Sequence, residues 1–267
     1  MSVENIKYYI ALLFVWPVLP FLYGQGKYVR KRMPKSVKPL ERGGHTGGKG
    51  KVKLQLLTLG ESTMAGVGVA SHKEGYVGTL ASQLSKEWNI KVGWNVQARN
   101  GTTSRALRKN ILSRKVGIKS HLIIIALGAN DAFHLHSPDY WERQIKQLVA
   151  CIRMHHPRSA ILFLQMPPMK DFPAFTSLMK VIFGSLVNWY AKRLAEISRQ
   201  TEGVWFVREG IDLKQEELAE KSLSEHHFSD GMHPSQRGYQ LWAENTLQFI
   251  RRNPDIQDHL RKVLMDV

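Results

Sequence analysis

The most informative feature of the chain is a pattern of apolar runs alternating with amphipathic stretches from Val52 onward. Val52–Leu59 is a continuous apolar run of strand length. Gly75–Trp88 follows, with Tyr76, Leu80, Leu84 and Trp88 at helical spacing. Ile90–Val96 reads as a second strand and Ser104–Leu112 as a short basic helix. His121–Leu127 is the strongest strand; an unbroken run of this kind belongs in a parallel sheet buried on both faces. Pro138–His155 predicts a helix whose apolar face is Ile145, Leu148, Val149 and Ile152. Ala160–Gln165 is a fourth strand, Phe175–Arg199 a helix in one piece or in two around Gly184, and Val204–Val207 a fifth strand. Pro234–Arg251 closes the pattern, with Pro234 suited to a first helical turn. Strands separated by helices imply an α/β fold with a mainly parallel, five-stranded sheet and right-handed crossovers.

Two segments precede this pattern. Residues 8–25 carry no charge and are mostly large apolar side chains, near the lower length limit for crossing a bilayer. Pro17 and Pro20 would bend such a helix, which membranes tolerate. Glu4 and Lys7 cancel before the segment, and no Ala-x-Ala follows it, so an uncleaved anchor is favoured over a signal peptide. A buried core helix is the third possibility. Residues 27–51 are basic and rich in Gly and Pro and read as a flexible linker. The expected organisation is an apolar anchor or signal-like segment over 1–26, the linker over 27–51, and a catalytic domain over 52–267.

Charge sharpens this picture. The chain carries +16, and residues 27–53 alone contribute ten Lys/Arg against Glu41. Basicity concentrated beside an apolar segment points to anionic lipid headgroups. A nucleic-acid partner is not favoured, since zinc ligands, RNP aromatics and a recognition-helix pattern are all missing. The positive-inside bias would hold the catalytic domain on the cytoplasmic side; export to the periplasm or cell envelope is the alternative. Within the linker, Gly43–Gly50 nearly matches a phosphate-binding loop, but Gly50 stands where Ser or Thr should hold magnesium, and the stretch precedes a strand instead of following one. Cys151 is the single cysteine, so no intramolecular disulfide forms.

The chemistry lies in the loops. Gly60 ends the first strand and Ser62 stands just past it. A serine there can be a helix cap or a nucleophile. The loop after the second strand holds Asn100-Gly101-Thr102-Thr103, and the loop after the strongest strand holds Gly128-Ala129-Asn130-Asp131. Carboxyl ends of parallel strands share one edge of the sheet, where ligands bind. Asp230-Gly231-Met232-His233 precedes the last helix, at a spacing that lets one turn place a carboxylate under an imidazole. Acyl transfer needs a base to activate the serine, a carboxylate to hold that base, and donors for the oxyanion. Ser62, His233 and Asp230 supply the first three groups; the Ser62 and Gly101 amides and the Asn130 side chain are candidate donors. Gly101 is expected to be glycine because a side chain would crowd the substrate. Each piece alone can be only a cap or a turn.

Together, and in this order, the four blocks Gly60-Glu61-Ser62, Gly101, Gly128-Ala129-Asn130-Asp131 and Asp230-Gly231-Met232-His233 resemble the SGNH (GDSL-type) hydrolase superfamily over residues 52–251. The resemblance implies a three-layer α/β/α sandwich of flavodoxin-like strand order. It implies Ser62 as nucleophile, His233 as base, Asp230 as its partner, and Ser62, Gly101 and Asn130 as the oxyanion hole. Glu61 replaces the family's usual Asp, which should alter the loop but spare activity. The Gly-x-Ser-x-Gly signature of α/β-hydrolases is absent, as Met64 shows.

The expected function is therefore hydrolysis of carboxylic esters through an acyl-enzyme, with no cofactor and no metal. His134/His136, His155/His156 and His226/His227 are read as surface or loop residues, since no zinc-like spacing recurs. The substrate is a small or lipid acyl ester. The apolar residues of 165–183 could line an acyl pocket or be the buried face of a helix. Two alternatives stand beside this reading: a carbohydrate O-acetyl esterase of the cell envelope, and a non-catalytic protein that binds anionic surfaces through residues 27–53.

Overall fold

The computed structural model describes residues 3–49, 51–113, 119–166, 169–209 and 227–265. A parallel core of five strands carries the domain: β2 (Leu54–Gly60), β3 (Val92–Ala98), β4 (Leu122–Ala126), β5 (Ala160–Leu164) and β6 (Val204–Val207). A sixth strand, β1 (Gly43–Thr46), pairs antiparallel with β3, giving the order β1-β3-β2-β4-β5-β6. Without β1 this is the flavodoxin-like order. Helices cover both faces. α3 (Tyr76–Trp88), α8 (Gln236–Arg252) and α9 (Pro254–Met265) lie on one side; α4 (Ser104–Ser113), α6 (Pro138–His155) and α7 (Ser177–Gln200) lie on the other. Every residue of β4 and β5 is buried, as the unbroken apolar runs required.

The strand β1 falls inside the expected linker. The glycines there have a packing reason: a Cβ at Gly44 would stand 2.4 Å from the Trp94 ring. Backbone without side chains can pass over that indole and pair with β3, so the first half of the near-match to a phosphate loop, Gly43–Thr46, is an edge strand. Gly184 does not divide α7, which runs unbroken from its Thr176 cap. The last long helix starts later than expected. Ser235 caps it through Gly238 N at 3.2 Å, and Pro234 lies outside it, bridged to Phe228. The helix α9 had no expectation from sequence.

At the N-terminus, α1 (Val3–Val15) and α2 (Leu19–Arg32) continue each other across the single turn Trp16–Val18. Asn5–Arg32 is long and apolar enough to cross a membrane, as an anchor or a signal sequence would be, and only 11% of its most apolar window is buried. It is therefore not a core helix.

Register decides where the chemistry meets. Gly60 pairs with Ala98 on one side and Ala126 on the other. The three central strands thus end level, and the loops carrying Ser62, Gly101 and Asn130 leave the sheet in one row.

Candidate active site

The first loop turns at Gly60, whose φ of +147° and proximity to Ala126 O exclude a side chain. Its carbonyl accepts from Arg99 N at 3.2 Å, tying the first loop to the second. Ser62 follows, in a turn closed by Val67 N donating to Ser62 O at 3.1 Å. The Tyr239 hydroxyl of α8 shares its proton between Thr63 O (3.0 Å) and Val67 O (2.8 Å). This clamps the serine turn to the helix that follows His233. Gly68 closes the approach, with its backbone against Pro234 O and Ser229.

The second loop is the turn Arg99–Thr102, closed by Thr102 N donating to Arg99 O at 3.2 Å. Gly101 adopts φ +76°, and a Cβ there would meet nothing within 4 Å. Glycine is thus required by backbone conformation, while the space in front of it is open. Among the described residues, neither the Ser62 nor the Gly101 amide donates to another protein group.

The third loop enters a short helix, α5 (Ala129–Phe133), and is held by two carboxylates. Glu61 accepts from Ala129 N (3.1 Å), from Asn130 N (3.0 Å) and from the Asn130 side-chain amide. Burial pushes the Glu61 carboxyl up to about 7, against the pull of these N–H donors, and nearby Asp131 raises it further. Asp131, fully buried, accepts from Ser104 N (2.9 Å) and Ser104 Oγ (2.8 Å), and its other contact is His136 Nδ1 at 2.9 Å. Ser104 opens α4 just after the Gly101 turn, so Asp131 fastens the third loop to the second. Neither of these roles is legible in the sequence. Their position in strand-end loops was the available signal.

Asp230 and His233 form a close, largely buried pair. His233 Nδ1 stands 2.7 Å from Asp230 Oδ2, with the carboxylate side chain only 1% exposed. The second oxygen, Oδ1, accepts from Met232 N (3.0 Å) and His233 N (2.8 Å). Burial alone would raise the Asp230 carboxyl, but the His233 side-chain hydrogen bond, its charge, the His233 amide and the Ser36 hydroxyl outweigh it and hold it at about 2. Ser36 donates to Asp230 Oδ2 from the segment expected to be linker. Nothing in the sequence pointed to it, because 194 positions separate the two residues. With Nδ1 engaged, Nε2 is the ring nitrogen left to exchange protons. Among the described residues Ser62 and His233 share no hydrogen bond; the fold brings them to the same edge through Gly68 and Tyr239.

The profile of GDSL-like lipases and acylhydrolases matches residues 58–241. The chain belongs to that family. As a GDSL-family member it is a hydrolase of ester bonds. Its fold is similar to that of a lipolytic G-D-S-L protein from Veillonella parvula (14% identity, TM-score 0.58, covering 75% of this chain and 100% of that one). A GDSL-like lipase from Parabacteroides merdae aligns at 19% identity and TM-score 0.57, covering 76% and 98% of the two chains. A catalytic mutant of Axe2, an acetylxylan esterase from Geobacillus stearothermophilus, aligns at 17% and 0.55, covering 76% and 96%. No curated protein sequence matches.

Other residues fall around this GDSL site. Phe172, Phe175, Met179 and Phe183 are buried, so the segment leading into α7 and the first turns of that helix face the core. Phe133, Phe175 and Phe183 pack edge to face, and Phe172 meets Phe228 at 5.3 Å, which joins the Asn130 loop to the His233 loop. Pro167 and Pro168 lie outside the described residues, as does His226. His156, in the loop after α6, and His227 are buried, while His155 is exposed. Among the described residues no cluster of three metal-ligating side chains occurs.

Proposed function

We propose that the chain is a serine esterase that works through an acyl-enzyme. The observation that carries this reading is the His233–Asp230 pair, buried on its carboxylate side and set on the sheet edge that holds Ser62. His233 Nε2 takes the proton of Ser62 as Oγ attacks the ester carbonyl, and returns it to the leaving alcohol. Water repeats the cycle on the acyl-enzyme. Asp230, held ionised, keeps Nδ1 protonated and supports the imidazolium. The oxyanion receives the Ser62 and Gly101 amides, which have no protein acceptor among the described residues, and one N–H of Asn130. An amide carries two such hydrogens, and Glu61 engages the other.

The substrate class that fits the apolar N-terminus and its basic flank is a lipid or other acyl ester, met on the cytoplasmic side. A carbohydrate O-acetyl ester is the second reading, supported by the likeness in fold to Axe2, and it requires the domain outside the cytoplasmic membrane. The test is a fluorophosphonate probe on the full chain beside Ser62→Ala. Labelling that vanishes in the variant is expected. A folded but unlabelled wild type would overturn the esterase reading in favour of a non-catalytic protein binding anionic surfaces through residues 27–53. Turnover of acyl esters of graded length against acetylated xylan separates the two substrate classes.

A further inference from the structure

The rod Asn5–Arg32 is about 42 Å long at 1.5 Å per residue. A spanning helix must meet lipid, or other membrane-embedded helices, through roughly 30 Å of hydrocarbon. This rod instead rests on the hydrolase domain near its start and again toward its end. Asn5, Tyr8, Leu22 and Val29 are buried, and Leu12, Leu19 and Met33 pack against the core between and beyond them. These positions follow the three- and four-residue spacing of one helix face. Polar tethers fix both ends to the domain. The Asn5 side chain donates to Asp139, whose own amide returns a bond to Asn5 at 3.3 Å, and the Tyr8 hydroxyl donates to Leu135 O. Toward the other end, Thr176 Oγ1 donates to Gln25 at 2.8 Å. Both ends of one rod cannot touch the same water-soluble domain if the rod crosses a bilayer.

The opposite face is apolar and bare. Ile10, Leu13, Phe14, Trp16, Phe21 and Tyr23 are all exposed, by 52% to 76%. Lys27, Arg30, Lys31, Arg32 and Lys35 continue that exposed surface. Soluble surfaces rarely carry so continuous an apolar patch, and a basic border beside it complements anionic headgroups. The rod lies along the catalytic edge: Leu135 follows the Asn130 helix and Thr176 caps α7. The chain leaving the rod then crosses that edge, where Ser36 meets Asp230 and Val37 O accepts from Gly68 N at 2.8 Å.

We propose that Asn5–Arg32 lies in the plane of an anionic bilayer, its free face sunk to the headgroup–acyl boundary and its inner stripe on the domain. The catalytic edge then faces the membrane, and the acyl ester is drawn from the lipid. This last clause rests on the esterase reading; the orientation does not.

The test places single cysteines near the start of the rod (Lys7→Cys) and in α9 (Lys262→Cys), with the unsubstituted chain as blank because Cys151 is buried. A membrane-impermeant maleimide is applied to sealed membrane vesicles holding the full chain. Labelling of both sites from the same side is expected. Labelling from opposite sides, or a chain missing from the membrane fraction, overturns the in-plane orientation. Repeating the labelling with Ser62→Ala keeps the two readings apart, since topology does not depend on turnover. Flotation with phosphatidylglycerol-containing vesicles tests the basic border. At about fivefold per basic residue, Lys27→Gln/Lys31→Gln/Lys35→Gln is expected to weaken binding roughly a hundredfold. Equal binding by this variant overturns the choice of an anionic surface.

Discussion

Glu61 accepts hydrogen bonds from both the backbone and the side chain of Asn130, the residue proposed to meet the oxyanion. The Glu that replaces the usual Asp at this position therefore reaches across to the third loop and aims a donor. Asn130→Ala is expected to lower kcat by about a hundred- to a thousandfold with little change in KM, the size of effect seen when one oxyanion donor is lost. Glu61→Ala should lower kcat in the same direction, and the double variant should lose less than the two single losses combined. Additive losses would show that Glu61 does not act through Asn130.

The same carboxylate makes stability depend on pH. Its folded value of about 7 lies above its ordinary 4.5, so the native state holds more protons between these limits. The contribution of this group is full below 4.5 and is lost as pH rises through 7. The difference of about 2.5 corresponds to about 3 kcal/mol at 1.36 kcal/mol each. Urea unfolding of wild type and Glu61→Gln from pH 5 to pH 8.5 checks this. The variant should gain on the wild type as pH rises, and a constant difference would refute it.

Asp230 works in the other direction. Held at about 2 against an ordinary 3.8, it contributes stability above 3.8 that is lost as pH falls through 2. Ser36→Ala removes one of its donors and should move the onset of acid unfolding to higher pH. A bond to a charged acceptor is worth about 1.5–3 kcal/mol. If Ser36 positions Asp230 for His233, kcat falls about tenfold or more while KM stays, and Ser36→Thr restores it. A KM effect alone would mean that Ser36 only holds the strap in place.

Tyr239→Phe tests the clamp on the serine turn. It leaves the buried Val67 carbonyl without its donor and the Thr63 carbonyl with Gly66 N alone, which should cost about 1–3 kcal/mol of stability. Because the clamp joins Ser62 to the helix behind His233, fluorophosphonate labelling should slow as well. Unchanged labelling with lowered stability would confine Tyr239 to the fold.

Local pattern carried much of this protein. The apolar runs at Leu122–Ala126 and Ala160–Leu164 could only be buried parallel strands, and Pro138–His155 shows its helix from end to end. The four blocks also identified the GDSL family, because nucleophile, donor and base residues sit in short strand-end loops whose order along the chain is preserved. Asp230 and His233 were legible as a pair because one turn spans them. What the sequence could not hold were pairings between distant segments. Gly43–Thr46 reads as linker until Trp94 lies beneath it, since glycine marks loops and close backbone approach alike. Glu61 and Ser36 acquire their partners only when the level ends of β2, β3 and β4 set three loops in a row and the N-terminal strap crosses them. The apolar N-terminus shows the same division. Its composition calls for lipid, but only the tertiary contacts at Asn5, Tyr8 and Gln25 lay it along the domain, because hydropathy counts residues without saying which face another part of the chain already covers.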